Sequence, residues 1–438
     1  MIFRGSIAHF PKVSTSPKDD IVYLHDGAIV VENGKITAID DYKQIQQTFP
    51  SMPLTDYSGK LIVPGFIDSH THFPQTEMIA SYGEQLLAWL AEYTFPTELK
   101  FADKSYSEKM AGHFIQQLVR NGTTTALAFS TVHAHACNAL FSAAAKRNMA
   151  MITGKVCMDR HCPEDLQDTP ELAYQESKAL IEKWHGKGRS LYAITPRFAP
   201  TSSDEQLQAL GKLASEYPDV FIQTHLSENK DEIAWVSSLF PHCSNYLGVY
   251  QHYGLVRKRA VFGHCIHLQD EEWQALSSAG ATVAFCPSSN LFLGSGLFDK
   301  QTADKYQVQQ ALASDVGAGT SFNLLRTYGE AYKVSQLKGQ AIDPLQGLYM
   351  MTMGAAAALE LDKDIGNLNP NTFADFVVLE PHFNSLSTLR INDTSDCADT
   401  LFALSIMGDE RCINQTYIAG IAQLGTNKTV EEPVNAVA

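Results

Sequence analysis

The feature that most constrains this chain is the run Leu61-Ile62-Val63-Pro64-Gly65-Phe66-Ile67-Asp68-Ser69-His70-Thr71-His72, an apolar strand-like segment ending in two histidines one residue apart. On an extended backbone, residues i and i+2 point to the same side, so both imidazoles can reach one metal ion from the end of a sheet. Imidazole suits zinc and related first-row metals, and a catalytic ion needs further protein ligands plus an open position for water. Taken alone, the pair is equally consistent with two half-exposed histidines on a strand end. The rest of the chain has to bring more ligands to the same place.

The 438 residues exceed the roughly 250 of a (β/α)8 barrel, so a barrel with an added unit fits the length. After the opening run, short strand-like segments recur at 123–129, 150–156, 191–195, 220–224, 260–263, 282–285 and 310–314, alternating with helical patterns. That makes about eight β/α units and predicts a parallel TIM-type barrel. One helix is expected over 204–216, after the cap residues Ser202 and Ser203. Both chain ends read as β. Strands are expected at 21–24 and 28–39, with Asn33-Gly34 as a hairpin signal, and again at 374–379 and 415–420, with a turn-rich stretch between these last two. The expected architecture is therefore α/β: residues 1–63 and 367–438 forming one small β-sandwich domain, and residues 64–366 the barrel.

Hydrophobic residues at 45% and charged residues at 18% are enough for a large core, with no low-complexity tract. A net charge of -15 argues against a nucleic-acid backbone or an anionic membrane as partner and favours a small neutral or cationic substrate. The first residues lack the basic start and apolar core of a signal peptide, and no stretch reaches the length of a membrane span. The 8 cysteines include no C-x-x-C pair, so neither a disulfide framework nor a thiolate zinc site is expected. A cytoplasmic protein is the reading these features favour.

In a barrel of this type, chemistry sits at the C-terminal strand ends. Four of those ends carry metal-ligand or acid-base residues: His70 and His72 at the first, His225-Leu226-Ser227-Glu228 at the fifth, His264 at the sixth and Asp315 at the eighth. Any one histidine is more often a satisfied core residue, but all of them at strand ends of one barrel point to a metal site. The set resembles the amidohydrolase superfamily in its aminohydrolase branch, with Pro64 to His72 similar to its opening motif, and the resemblance spans nearly the whole chain. It implies one divalent metal per chain held by His70, His72, His225 and Asp315, with His264 close by. Zinc is the first expectation and ferrous iron the alternative. No lysine stands at the fourth-strand position that the two-metal hydrolases carboxylate. Phe73-Pro74-Gln75, the segment from Leu87 to Glu98 with Trp89, Tyr93, Thr94, Phe95 and Pro96, and Thr195-Pro196-Arg197-Phe198-Ala199-Pro200 are similar to the guanine-deaminating family of that branch. A homodimer is what this resemblance suggests.

A metal that lowers the pKa of water supplies hydroxide at neutral pH. Glu228, three residues after His225, is the expected proton handler, and Asp315 and His264 complete the catalytic set. Gln75 and Arg197, just past strand ends, have the donors and acceptors to read a purine edge, and Phe198 with Trp89 or Phe95 offers stacking surface. His161 and His267 read as surface or supporting histidines. The expected reaction is hydrolysis of guanine to xanthine and ammonia. The alternatives are an aminohydrolase of the same branch acting on an adenosine-like, pterin or triazine ring, or a catalytically inactive barrel used in assembly. Against the last stands the full set of strand-end residues, which packing does not require.

Overall fold

The computed structural model describes residues 1–83, 85–392 and 395–425. Residues 426–438, assigned above to the small β unit, lie outside the described residues. Among these, eight parallel strands follow one another round a barrel in chain order: Phe66–His72, Thr123–Phe129, Ala150–Gly154, Ser190–Pro196, Phe221–Leu226, Ala260–His264, Thr282–Phe285 and Gln309–Leu312. Apart from half-buried Leu191 and the start of the last strand at Gln309 and Gln310, these are short runs buried on both faces, as expected of parallel strands covered by helices. A two-residue strand, Val156–Cys157, pairs with the fourth barrel strand. Closure between the first and last strands uses no regular ladder. Asp315 N donates to His70 O at 2.9 Å, Ser69 Oγ to Leu312 O at 2.9 Å, and Ser314 N to the Asp68 carboxylate at 3.0 Å. The residues that close the barrel are thus neighbours of the strand-end histidines.

Each strand contributes one side chain to a packed interior layer: Ile67, Leu127, Ile152, Ala193, Phe221, Val261, Ala284 and Ala311, with Ala355, Ala356 and Leu359 against it. The barrel interior is filled at this level, which leaves its C-terminal end as the place where strand-end side chains can meet a ligand. The helix Asp204–Glu216 forms where the spacing predicts, with Ser203 accepting from Gln206 N as its cap.

The two ends of the chain build a separate seven-stranded sheet. Val22–Glu32 and Lys35–Asp41 form the expected hairpin, whose two-residue turn has Asn33 at φ 52° and Gly34 at φ 79°. Both values are left-handed, the geometry that matches a type I′ turn to strand twist. The expected sandwich is realised within one hydrogen-bonded path. Phe3 and Tyr417 belong to strands three places apart in that path, about 14 Å if the sheet were flat, yet their ring centroids lie 4.9 Å apart. The sheet therefore curls over its own apolar cluster. The stretch read as turn-rich between the last strands instead contains the helices Ser385–Arg390 and Cys397–Met407. The second of these lies against the helix Leu324–Leu337, with the Phe402 and Tyr332 rings 4.9 Å apart. No helix among the described residues is long and apolar enough to cross a membrane.

His9, at the end of strand Ile2–His9, is 3% exposed and accepts from Leu368 N through Nδ1. Burial pushes its pKa down to about 4. Between there and the unfolded value near 6.5 the unfolded chain holds more protons, so stability rises with pH through this window and is lost as pH falls from 6.5 toward 4, by up to about 3 kcal/mol. His9→Gln removes the titration and keeps an acceptor. Thermal unfolding from pH 7 to 4.5 should show a smaller fall in Tm for the variant than for the parent. Parallel falls would show that His9 does not contribute.

Candidate active site

The structure brings all five strand-end metal candidates together. His70, His225, His264 and Asp315 each offer a ligand atom within 4.8 Å of the others. His72 stands at the edge of this set, with Nε2 3.2 Å from His225 Nε2 and 3.2 Å from Asp315 Oδ1. His70 Nε2 is 3.3 Å from the same oxygen. Around an ion with bonds of 2.0–2.1 Å to nitrogen or oxygen, the edge of a ligand tetrahedron is about 3.3 Å, so these spacings fit a single divalent cation.

The surrounding groups fix which ring nitrogen faces inward. His225 Nδ1 lies 2.7 Å from Arg197 O, and His264 Nδ1 lies 2.8 Å from Asn290 Oδ1. Both partners are acceptors, so each Nδ1 carries the proton and each Nε2 presents a lone pair to the centre, the arrangement that outer hydrogen bonds impose on metal-binding histidines. Both ring nitrogens of His70, and Nδ1 of His72, are buried without a hydrogen-bond partner. Unsatisfied buried nitrogen is costly, and a cation at the centre would satisfy the inward ones.

Electrostatics separates the two carboxylates. Burial alone would raise Asp315, but His70 and His72 beside it outweigh that and hold it well below the usual carboxylate range. Burial, and then the charge of Asp315, pushes Glu228 up to about 8. The hydrogen bond from Ser295 and the charge of Arg197 pull the other way but are outweighed. Burial also lowers His72 to about 4 and takes His225 well below its usual value. At neutral pH the protein's own groups therefore set one charged and one protonated carboxyl beside the neutral imidazoles of His72 and His225, a division typical of acid-base sites. Glu228 Oε2 lies 3.4 Å from His264 Nε2, and its Oε1 accepts from Ser295 Oγ at 3.2 Å.

Beside the cluster lies a cavity lined by His72, Gln75, Leu86, Trp89, Leu90, Arg197, Phe198, His225, Glu228, Glu232, His264, Leu293, Asp315 and Ala318. Gln75, Arg197, Phe198 and Trp89 are thus all on its wall. Phe95 is not; its ring sits 5.7 Å from the Arg197 guanidinium carbon. His161 and His267 stand off the wall, hydrogen-bonded to Pro200 O and Ser295 O respectively. Gly317, at φ 126°, leaves room for the Gln75 amide, because a Cβ there would fall 1.9 Å from its Oε1.

Several supporting residues escape sequence reasoning. Glu98, fully buried, accepts from Arg197 Nη1 through both oxygens, at 2.8 and 2.9 Å. Asn290 lies on the short helix Pro287–Phe292 that follows the seventh strand, and Ser295 just beyond it. Glu232 accepts from the backbone N–H groups of Glu228 and Asn229 and from Tyr246 Oη, holding the turn that carries Glu228. Its signal is present in the sequence, since Asn229-x-x-Glu232 is a capping-box spacing.

A parallel barrel whose C-terminal end gathers four imidazoles, an ionised carboxylate and a second carboxyl beside a pocket defines a metal-dependent hydrolase architecture. The chain belongs to the amidohydrolase family, whose model matches residues 61–422. It is 48% identical to the guanine deaminase of Escherichia coli over 95% of this chain and 96% of the relative. The solved structure of E. coli guanine deaminase superposes with a TM-score of 0.95, covering 97% of this chain and all of the other. A guanine deaminase structure from C. acetobutylicum with guanine bound in the active site is 30% identical, with a TM-score of 0.88 over 97% of this chain and 99% of the other.

Proposed function

We propose that this chain hydrolyses the exocyclic C–N bond of guanine, giving xanthine and ammonia, with one divalent ion, zinc, held by His70, His72, His225 and Asp315 and with His264 beside it. The observation that carries the reading is the convergence of those donors next to Glu228, in a pocket whose other wall presents Arg197 and Gln75. Near full-length similarity to guanine deaminases supports the substrate. The acidic composition and eight cysteines outside any disulfide suit a cytoplasmic enzyme.

When bound, the cation supplies a Lewis acid that brings the pKa of water toward neutrality. Asp315 accepts a hydrogen bond from the attacking water and orients it toward the amino-bearing carbon. With the Asp315 charge that helps to keep it protonated offset by the bound cation, Glu228 is able to take the water's proton and pass it to the adjacent ring nitrogen, then to assist the second transfer that lets the amino group leave as ammonia. His264, with its proton on Nδ1, offers the Nε2 lone pair beside both carboxyls. Phe198 and Trp89 stack against the ring. Gln75 and the unpaired edge of Arg197 meet the carbonyl oxygen and ring nitrogens, which adenine's amino edge would not match.

Ammonia release from guanine, adenine, a pterin and a triazine tests the reading. Guanine should be preferred, with adenine lower in kcat/KM by about 10⁴-fold, because the wrong edge leaves buried polar groups unpaired. Arg197→Ala should lower kcat/KM for guanine by roughly 10²-fold through lost charge-assisted hydrogen bonds, with metal content unchanged. It should also lower Tm, since Glu98 is left buried without its counter-ion. Comparable turnover of adenine would remove guanine as the substrate.

A further inference from the structure

Arg197 and Glu98 are not paired as a buried ion pair built for stability would be. An arginine holding a carboxylate for its own sake usually presents two nitrogens in a fork, one to each oxygen. Here Nη1 alone serves both oxygens of Glu98. Nη2 and Nε make no hydrogen bond to any other described residue, and neither is sealed from the cavity that Arg197 lines. The same carboxylate accepts from Gln75 Nε2 at 3.4 Å. One buried acid thus touches both side chains on the purine-reading wall while lining none of the cavity itself. It comes from the helix Phe95–Leu99, in the segment that closes the barrel mouth.

We propose that Glu98 is a positioning residue for substrate selectivity: by taking one nitrogen of Arg197 with both oxygens and one of Gln75 with Oε1, it fixes the guanidinium so that its remaining edge faces the carbonyl edge of the substrate ring. This rests on the guanine reading above. The carboxylate also supplies the counter-charge that lets an arginine be 2% exposed without recruiting an anion as ligand, which biases the pocket toward a neutral ring. The three side chains act as one unit, and Glu98 acts only through the other two.

The test is a double-mutant cycle on the intact metal-loaded enzyme with Glu98→Gln, Arg197→Ala and the pair, reading KM, kcat, the guanine-to-adenine ratio, metal content and Tm. Glu98→Gln should raise KM for guanine by roughly 10- to 100-fold, the worth of a charge-assisted hydrogen bond, with kcat and metal content little changed and the guanine-to-adenine ratio falling in step. In the double variant the KM effect should collapse to that of Arg197→Ala alone, because a residue that works through Arg197 has nothing to position once it is gone. Glu98→Asp, which keeps the charge but withdraws the oxygens by one methylene, serves if Glu98→Gln does not fold and should still raise KM. Full rescue by aspartate, additive effects in the cycle, or a loss confined to Tm would overturn the proposal. A parent enzyme inert toward guanine would instead overturn the substrate reading. The same cycle would then be read on whichever aminoheterocycle it turns over.

Discussion

Replacing His225 with alanine is expected to remove one ligand, strip the divalent ion and lower kcat to about 10⁻⁴ of the parent or less, as water at the site loses the cation that would bring its pKa toward neutrality. The expectation follows from geometry. His225 Nε2 lies 3.2 Å from His72 Nε2, and its other nitrogen is committed to Arg197 O, so no rotation of a neighbour replaces it. A chelator should reproduce the loss in the unmodified protein, and added zinc should reverse it there but not in the variant. Tm should fall in both cases, because a ligand that binds only the folded state stabilises it by mass action. Elemental analysis decides the matter: an active preparation with no metal, or a His225→Ala protein that keeps both metal and turnover, would end the single-metal reading.

Glu228→Gln is expected to cost about 10²–10⁴-fold in kcat while metal content stays near that of the parent. The site can accommodate the amide. Its oxygen can accept from Ser295 as Oε1 does now, and its NH₂ can donate to the lone pair on His264 Nε2, 3.4 Å from Oε2. The variant therefore loses the capacity to carry a proton and little else. Near-normal turnover would move the proton-handling role to Asp315 or a histidine. Lost metal would mean that Glu228 helps to hold the ion.

The barrel was legible because each strand is a short apolar run bounded by turns, and the site because its residues sit at the ends of those runs, as with His225 three residues before Glu228. The helix Cys397–Met407 escaped because it is apolar over most of its surface where it packs on Leu324–Leu337, so no polar stripe marks its period. Glu98, Asn290 and Ser295 lie on segments whose partners are chosen by tertiary contact. Nothing local distinguishes Glu98 from a solvated helix residue, although it is fully buried. The short α and π turns from Leu86 to Leu99 likewise take their form from the barrel mouth they cover.

The curled sheet also sets the order in which this chain can fold during synthesis. Leu54–Pro64 is an interior strand, flanked by Ile2–His9 on one side and Phe376–Leu379 on the other. Its residues 61–64 therefore wait for a partner more than 300 positions downstream, so one edge of the nascent sheet stays open while the whole barrel emerges from the ribosome. Unpaired apolar edges are where growing chains associate wrongly, and late long-range pairing slows completion. Because Pro64 leads within two residues into the strand that carries His70 and His72, that delay falls on the same stretch of backbone as the metal site. A chain released before residue 376 lacks the partner for this edge, however complete its set of metal ligands.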